Sequence, residues 1–238
     1  MSWLLLPALM LAAAGCRVAP RGEVAGAEDG RGLLAFDAEP PAGAMLWQRP
    51  EPRLGDCFTL LRGGHTRLTF RVVEVGANGS TLQDEQGHRL RRDVELGHLG
   101  EWGATGEQAI QRLSPVDVRC HWPLWVGKKW RCEYVDSTAG GASLRIEAAY
   151  LVEGLDTVVV PAGTFQALRI VRRATLKADG EPFLDRTTFR WYAPSIGLEV
   201  RRVVDDTAYE LVEWSVTHPP GSGPPAATSP SSGSPSPR

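Results

Sequence analysis

The stretch Leu144-Arg145-Ile146-Glu147-Ala148-Ala149-Tyr150-Leu151-Val152 limits the fold more than any other part of the chain. Leu144, Ile146, Ala148, Tyr150 and Val152 share one side of a period of two, with Arg145 and Glu147 opposite. Such a pattern gives a buried face and a wet face only when the backbone is extended. Leu68, Phe70 and Val72 repeat it against Thr69 and Arg71, and Trp130, Cys132 and Tyr134 share a face. Thr187, Phe189 and Trp191 alternate with Arg186, Thr188 and Arg190. Gly76-Ala77-Asn78-Gly79, Gln86-Gly87, Ala178-Asp179-Gly180 and Asp205-Asp206 supply turns between these runs. The expected class is all-β: an antiparallel meander or half-barrel sheet over residues 114–217, preceded by a smaller N-terminal β subdomain over 51–100. One face of the larger sheet is read as apolar and aromatic, the other as charged. Gly100 to Arg112 reads as a minor helix bridging the two parts, through the weak stripe of Trp102, Ala109, Ile110 and Leu113. The apolar face has to be covered by curling, by the first subdomain or by a ligand.

The ends of the chain carry no such pattern. Trp3 to Ala14 is uncharged, rich in Leu and Ala, and closed by Gly15-Cys16. It is shorter than the ~20 apolar residues a bilayer span requires. It reads as a lipoprotein signal peptide over 1–15, with Cys16 as the lipid-acceptor residue. No Lys or Arg lies between Met1 and Leu6, and Ala13 stands at −3 where leucine is commoner. Cleavage after an Ala-x-Ala-like site, releasing a soluble protein, is the alternative. Arg17 follows the cysteine, which by similarity to Gram-negative lipoproteins implies the outer membrane, facing the periplasm. Residues 16–50 read as a tether, with an apolar patch, Leu33 to Phe36 and Met45 to Trp47, able to dock on the body. Residues 218–238 are Pro, Ser, Gly and Ala with little bulk, and read as a disordered tail.

Charge is nearly balanced, with 26 Lys and Arg against 28 Asp and Glu, so there is no field to gather nucleic acid. The doublets Arg91-Arg92, Arg172-Arg173 and Arg201-Arg202 could grip phosphate; interspersed acids favour reading them as solvent-facing strand positions. With Cys16 lipidated, Cys57, Cys120 and Cys132 remain. Cys120 and Cys132 flank a short loop, and a disulfide between them would stabilise the fold by roughly 3 kcal/mol. Three buried thiols acting as small apolar residues are the other reading. A zinc set of Cys57, Cys120, His121 and Cys132 lacks Cys-x-x-Cys spacing, and no metal is expected.

No nucleophile elbow, phosphate loop, zinc-protease spacing or kinase set is present, so neither catalytic residues nor a cofactor are expected. His65, His88, His98, His121 and His218 are scattered and read as solvated. Asp84-Glu85 and Asp205-Asp206 are acidic pairs at turns, which do not make a facing carboxylate pair. Trp122, Trp125 and Trp130 cluster, either as core or as a groove for sugar or lipid.

Val159-Val160-Pro161-Ala162-Gly163-Thr164-Phe165 and, about 30 residues on, Trp191-Tyr192-Ala193-Pro194-Ser195-Ile196-Gly197-Leu198 form a motif pair. With Pro123 to Trp130 and Gly55-Asp56 they resemble the TapB-like group of bacterial envelope proteins of unknown function, over residues 53–216. That group has no established catalytic residues, so the resemblance implies none here. Pro161 ends a strand, Gly163 allows a tight turn and Phe165 swings into the core. Pro194 ends the aromatic strand Trp191 belongs to, and Gly197 admits a second turn. The two motifs are expected on adjacent hairpins. The whole reads as an exported, membrane-anchored lipoprotein without enzyme activity. It would bind an envelope protein, a lipid or another hydrophobic ligand. Two alternatives remain: a hydrolase of envelope polymers, or a structural accessory to pilus or adherence machinery.

Overall fold

The structure, a computed structural model, describes residues 33–35, 39–141, 143–178 and 181–216. Its strands are β1 (Leu33–Ala35), β2 (Cys57–Arg62), β3 (Thr66–Gly76), β4 (Gly79–Asp84), β5 (Arg89–Arg92), β6 (His98–Trp102) and β7 (Ala109–Asp117). They continue with β8 (Lys129–Thr138), β9 (Ser143–Val160), β10 (Gly163–Ala178), β11 (Glu181–Ala193), β12 (Leu198–Val204) and β13 (Thr207–Ser215). Among the described residues there is no helix.

The antiparallel ladder runs β8-β7-β6-β5-β4-β3-β2-β13-β12-β11-β10-β9, and β9 pairs back onto β8 from Lys129↔Leu151 to Ser137↔Ser143. The expected meander or half-barrel is therefore corrected to a closed barrel of twelve strands, and the smaller N-terminal β subdomain to one arc of its wall. Period-two patterning fixes which side chains share a face but not what pairs with each edge; closure leaves β8 and β9 without open edges along their shared register. Leu33–Ala35 adds outside this ring. It pairs with Trp130–Cys132, while β7 holds β8 only over Val135–Thr138. Of the apolar patch expected to dock, Leu33–Ala35 does so by backbone pairing, and Trp47 bridges Leu124 and is buried.

The expected minor helix over Gly100 to Arg112 is corrected to β6, a turn and β7. Gly100, Gly103 and Gly106 weaken a helix there. At Gly100 (φ +130°) a Cβ would lie 2.3 Å from the backbone oxygen of Gln111, so the close β6–β7 approach needs glycine. At Asp205 and Asp206 φ is 47° and 63°, and Val204↔Thr207 closes a two-residue hairpin, as in a type I′ turn. Asp206→Gly, which removes left-handed strain, is expected to raise stability by about 0.5–1 kcal/mol in urea denaturation, with Asp205 still paired to Arg186.

The outer wall meets water. Arg131, Glu133, Arg145 and Glu147 point outward from β8 and β9 and pair with one another, as Arg169 does with Glu153. A barrel wall facing hydrocarbon would carry an apolar band instead. The inner wall holds two packed clusters. One is built on Trp130, Tyr150, Ile170 and Leu176; the other on Leu60, Val160, Val200 and Leu211. A twelve-strand ring is too wide for its own side chains to fill. The β7–β8 connection folds inward to help: Val118, Leu124 and Trp125 are at most 2% exposed.

Candidate functional site

Alternation around an antiparallel ring puts the β3–β4, β5–β6, β7–β8, β9–β10 and β11–β12 connections at one end of the barrel. At that end lies a cavity of about 140 Å³. Phe58 and Leu60 of β2 and Phe70 of β3 form an apolar wall, with the Phe58 and Phe70 rings 5.5 Å apart. Arg190 of β11 and Glu199 and Arg202 of β12 form a charged wall, and Arg92 and Arg119 complete it from β5 and the β7–β8 connection.

Register explains how so much charge faces inward. Arg190 sits opposite Arg202, and Tyr192 opposite Glu199, and directly opposed residues share a face. Glu199 and Arg202 are three apart, which on a regular strand would put them on opposite faces. The bulge between Trp191 and Tyr192 leaves Val200 as the extra residue and turns Glu199 inward with Arg202. Arg190 Nη1 donates to Glu199 Oε2 at 2.9 Å, and Arg202 Nε stands 3.6 Å from Glu199 Oε1. Burial would raise the Glu199 carboxyl, but Arg190 and Arg202 overcome it and hold Glu199 below its ordinary range. Burial and the neighbouring Arg119 push Arg92 down to about 10. Burial lifts the Cys120 thiol to about 12, so this cavity-wall cysteine is no thiolate nucleophile at neutral pH.

Behind this wall lies a buried network. Asp117 accepts from the Tyr150 hydroxyl and, at 3.2 Å, from Arg119 Nε. Arg172 donates to the Tyr150 oxygen (3.1 Å) and the Tyr134 oxygen (2.6 Å). Trp130 stacks on Tyr150 at 5.0 Å and donates from Nε1 to the Val118 carbonyl at 2.7 Å, anchoring the inward-folded connection. Burial opposes ionisation of Asp117, yet Arg119, Arg172 and the Tyr150 hydrogen bond bring it to about 2. His98, directly opposite Asp117, is driven well below its ordinary value by burial and Arg119 and stays neutral.

These positions revise several readings of the sequence. In each arginine doublet one member turns inward: Arg92, Arg172 and Arg202 lie inside. On β11 the faces are reversed from expectation. Thr188 and Tyr192 are buried, Arg190 lines the cavity, and Phe189 is 36% exposed on the outside. His98 is a buried strand residue rather than a solvated loop residue. Trp125 and Trp130 are core, while Trp122 lines the cavity edge-on to Tyr192. Arg119, Arg190 and Glu199 were not candidates from the sequence, and Arg92 and Arg202 entered it only in doublets read as solvent-facing strand positions. The doublets were the available signal, because adjacent residues of a strand in a closed barrel cannot both face out.

Of the expected structural residues, Pro161 and Ala162 make the two-residue turn between β9 and β10, with Gly163 at φ +134°. Phe165 packs against the second core cluster, and Trp191 donates its indole N–H to Asp156 at 2.9 Å. Pro194 and Gly197 (φ +69°) lie in the β11–β12 turn, and β10–β11 pairing makes the two motif hairpins neighbours. Of the two readings of the cysteines, a Cys120–Cys132 bridge or separate thiols, the structure has the second: Cys57 and Cys120 are free thiols, and Cys132 Sγ lies 3.9 Å from Asp117 Oδ1. Among the described residues no three His, Cys, Asp or Glu side chains gather to hold a metal. Cys16, the signal peptide, residues 179–180 and the tail over 218–238 lie outside the described residues.

No family model matches the sequence, and no curated protein matches it. Among solved structures the chain is similar to the hypothetical lipoprotein YmcC from Escherichia coli (K12), at 10% identity and a TM-score of 0.45, over 68% of this chain and 88% of that one. It is also similar to an exported protein with a YmcC-like fold from Bacteroides fragilis NCTC 9343. There the identity is 14% and the TM-score 0.42, over 72% and 100% of the two chains. A lipoprotein from Parabacteroides distasonis ATCC 8503 is similar at 11% identity and a TM-score of 0.43, over 71% and 99%.

Proposed function

We propose that this chain is an envelope lipoprotein, anchored through Cys16, whose barrel acts as a non-enzymatic binding protein holding a small ligand in its end cavity. The observation that carries the binding reading is the cavity itself: a space of about 140 Å³ with an apolar wall and a charged wall at one end of the barrel. Its single lining carboxylate, Glu199, is engaged by Arg190, and its thiol, Cys120, is held protonated. These groups favour holding a molecule over hydrolysing one.

The anchor follows from the leader pattern. Residues 17–32 separate Cys16 from the first described strand, so a tether of that length would keep the barrel within at most about 55 Å of the lipid surface. Palmitate labelling of the expressing cells is expected to mark the wild type and not Cys16→Ser; an unlabelled wild type refutes the anchor. For the binding role, native mass spectrometry of protein extracted from the envelope is expected to show a species heavier than the lipidated chain, carrying one small molecule. A single mass equal to the lipidated chain under gentle conditions contradicts it.

A further inference from the structure

We infer that the cavity end of the barrel binds an anionic amphiphile, with a carboxylate or phosphate head among Arg92, Arg119, Arg190 and Arg202 and an apolar body along Phe58 and Phe70. This deepens the binding reading above and rests on it.

Charge is the first support. Four guanidinium groups line the cavity against one lining carboxylate, Glu199, which serves Arg190 and Arg202 together. Asp117 offsets Arg119 but is shared with the Arg172 network. The described residues therefore leave an excess of positive charge in an enclosed space, which is costly unless an anion enters. The unpartnered donors point the same way. Arg190 Nε is buried with no hydrogen-bond partner among the described residues, and Arg202 Nε makes no hydrogen bond beyond its 3.6 Å ion pair with Glu199 Oε1. Arginine forks of this kind match the two oxygens of a carboxylate or phosphate.

Shape is the second support. Inorganic anion alone would not use the apolar wall of Phe58, Leu60, Phe70 and Leu90. The cavity is also below the volumes of whole-lipid sites, so it takes a head and the first part of a chain.

The third support is the rim. Leu54, Val75, Val94, Val126, Val159 and Trp214 are between 41% and 70% exposed. Leu54 and Trp214 flank the start of β2 and the end of β13; the others lie at or beside the β3–β4, β5–β6, β7–β8 and β9–β10 connections. By the alternation of the ring all six sit at the cavity end. An apolar rim around a basic pocket fits a molecule that brings its own apolar body, drawn either from a bilayer or from solution as a free amphiphile.

The test uses the full mature chain with Cys16→Ser, to keep it in solution, and reads tryptophan fluorescence, since Trp122 lines the cavity. The probes are octyl phosphate, octanoate, octanol, inorganic phosphate, and vesicles of phosphatidylcholine with or without phosphatidylglycerol. Octyl phosphate or octanoate is expected to bind at least about tenfold tighter than octanol or inorganic phosphate. Arg190→Met and Arg202→Met are expected to abolish that tenfold preference. Binding to phosphatidylglycerol vesicles but not to phosphatidylcholine assigns the head to a membrane lipid; binding of the soluble probes alone assigns it to a free amphiphile. Equal affinity for octanol and octyl phosphate overturns the anionic class and leaves the binding reading standing. Binding of no alkyl probe overturns both. The wild-type probe series decides the matter even where an arginine variant fails to fold.

Discussion

Asp117→Ala is expected to lower the free energy of unfolding by about 3–5 kcal/mol, the cost of removing one member of a buried charge network. The carboxylate is 3% exposed and accepts from Tyr150 and Arg119, while Arg172 completes the set through Tyr150 and Tyr134. Without it, the buried Arg172 guanidinium keeps only the Tyr150 and Tyr134 hydroxyls as hydrogen-bond partners, Arg119 loses its carboxylate, and the Tyr150 proton loses its acceptor. Asp117→Asn keeps the shape and one acceptor oxygen, so it should cost less, but it removes a pH dependence. The folded-state value of about 2 lies below the ordinary carboxyl value of about 4, so the contribution of Asp117 is fully present above pH ~5 and is lost as pH falls toward 2. Urea denaturation from pH 7 to pH 2.5 should show a steeper loss in the wild type than in Asp117→Asn. Parallel curves, or an alanine variant within about 1 kcal/mol of wild type, would contradict this account of the interior.

Trp130→Ala is expected to cost a similar amount, about 3–5 kcal/mol, through a different mechanism. Trp130 is 0% exposed, and its ring lies within 3° of parallel to Tyr150. Alanine opens a cavity next to Tyr150 and releases the Val118 carbonyl, so the inward-folded β7–β8 connection loses an anchor at its start. Trp130→Phe keeps much of the apolar contact and loses the indole donor, and should cost about 1–3 kcal/mol. Because Trp130 and Asp117 both touch Tyr150, the double variant should lose less than the two single losses combined, by at least about 0.5 kcal/mol. Additive losses measured by denaturant midpoints would show that the stack and the charge network do not communicate.

Much of the architecture was legible because strands announce themselves by alternation and turn residues. Leu144 to Val152, the Gly76-Ala77-Asn78-Gly79 and Asp205-Asp206 turns, and the paired motifs around Pro161 and Pro194 all lie where the alternation and turn residues place them. Closure was not legible. The β8–β9 pairing that completes the ring obeys the same local rule as any other hairpin, and nothing in a single strand's pattern says how many neighbours the ladder collects before it returns. The helix reading of Gly100 to Arg112 failed because a weak apolar stripe was weighed without its three glycines.

The cavity was hidden for a related reason. In a half-open sheet, charged positions belong to solvent and aromatic positions to the core, so Arg190 reads as outward and Phe189 as inward. In a wide closed barrel both sides of the wall are crowded, and the interior has room for a charged site. The β12 bulge then turns Glu199 onto the same face as Arg202, a placement that depends on one extra residue in the ladder and leaves no mark on the period of the sequence.

The most direct measurement of the central claim is a crystal structure of the mature chain with Cys16→Ser grown with octyl phosphate. The account predicts the phosphate within hydrogen-bond distance of the Arg190 and Arg202 guanidinium groups, with the alkyl chain against Phe58 and Phe70. A cavity filled only by water, with octyl phosphate bound on the outer wall or nowhere, would contradict it.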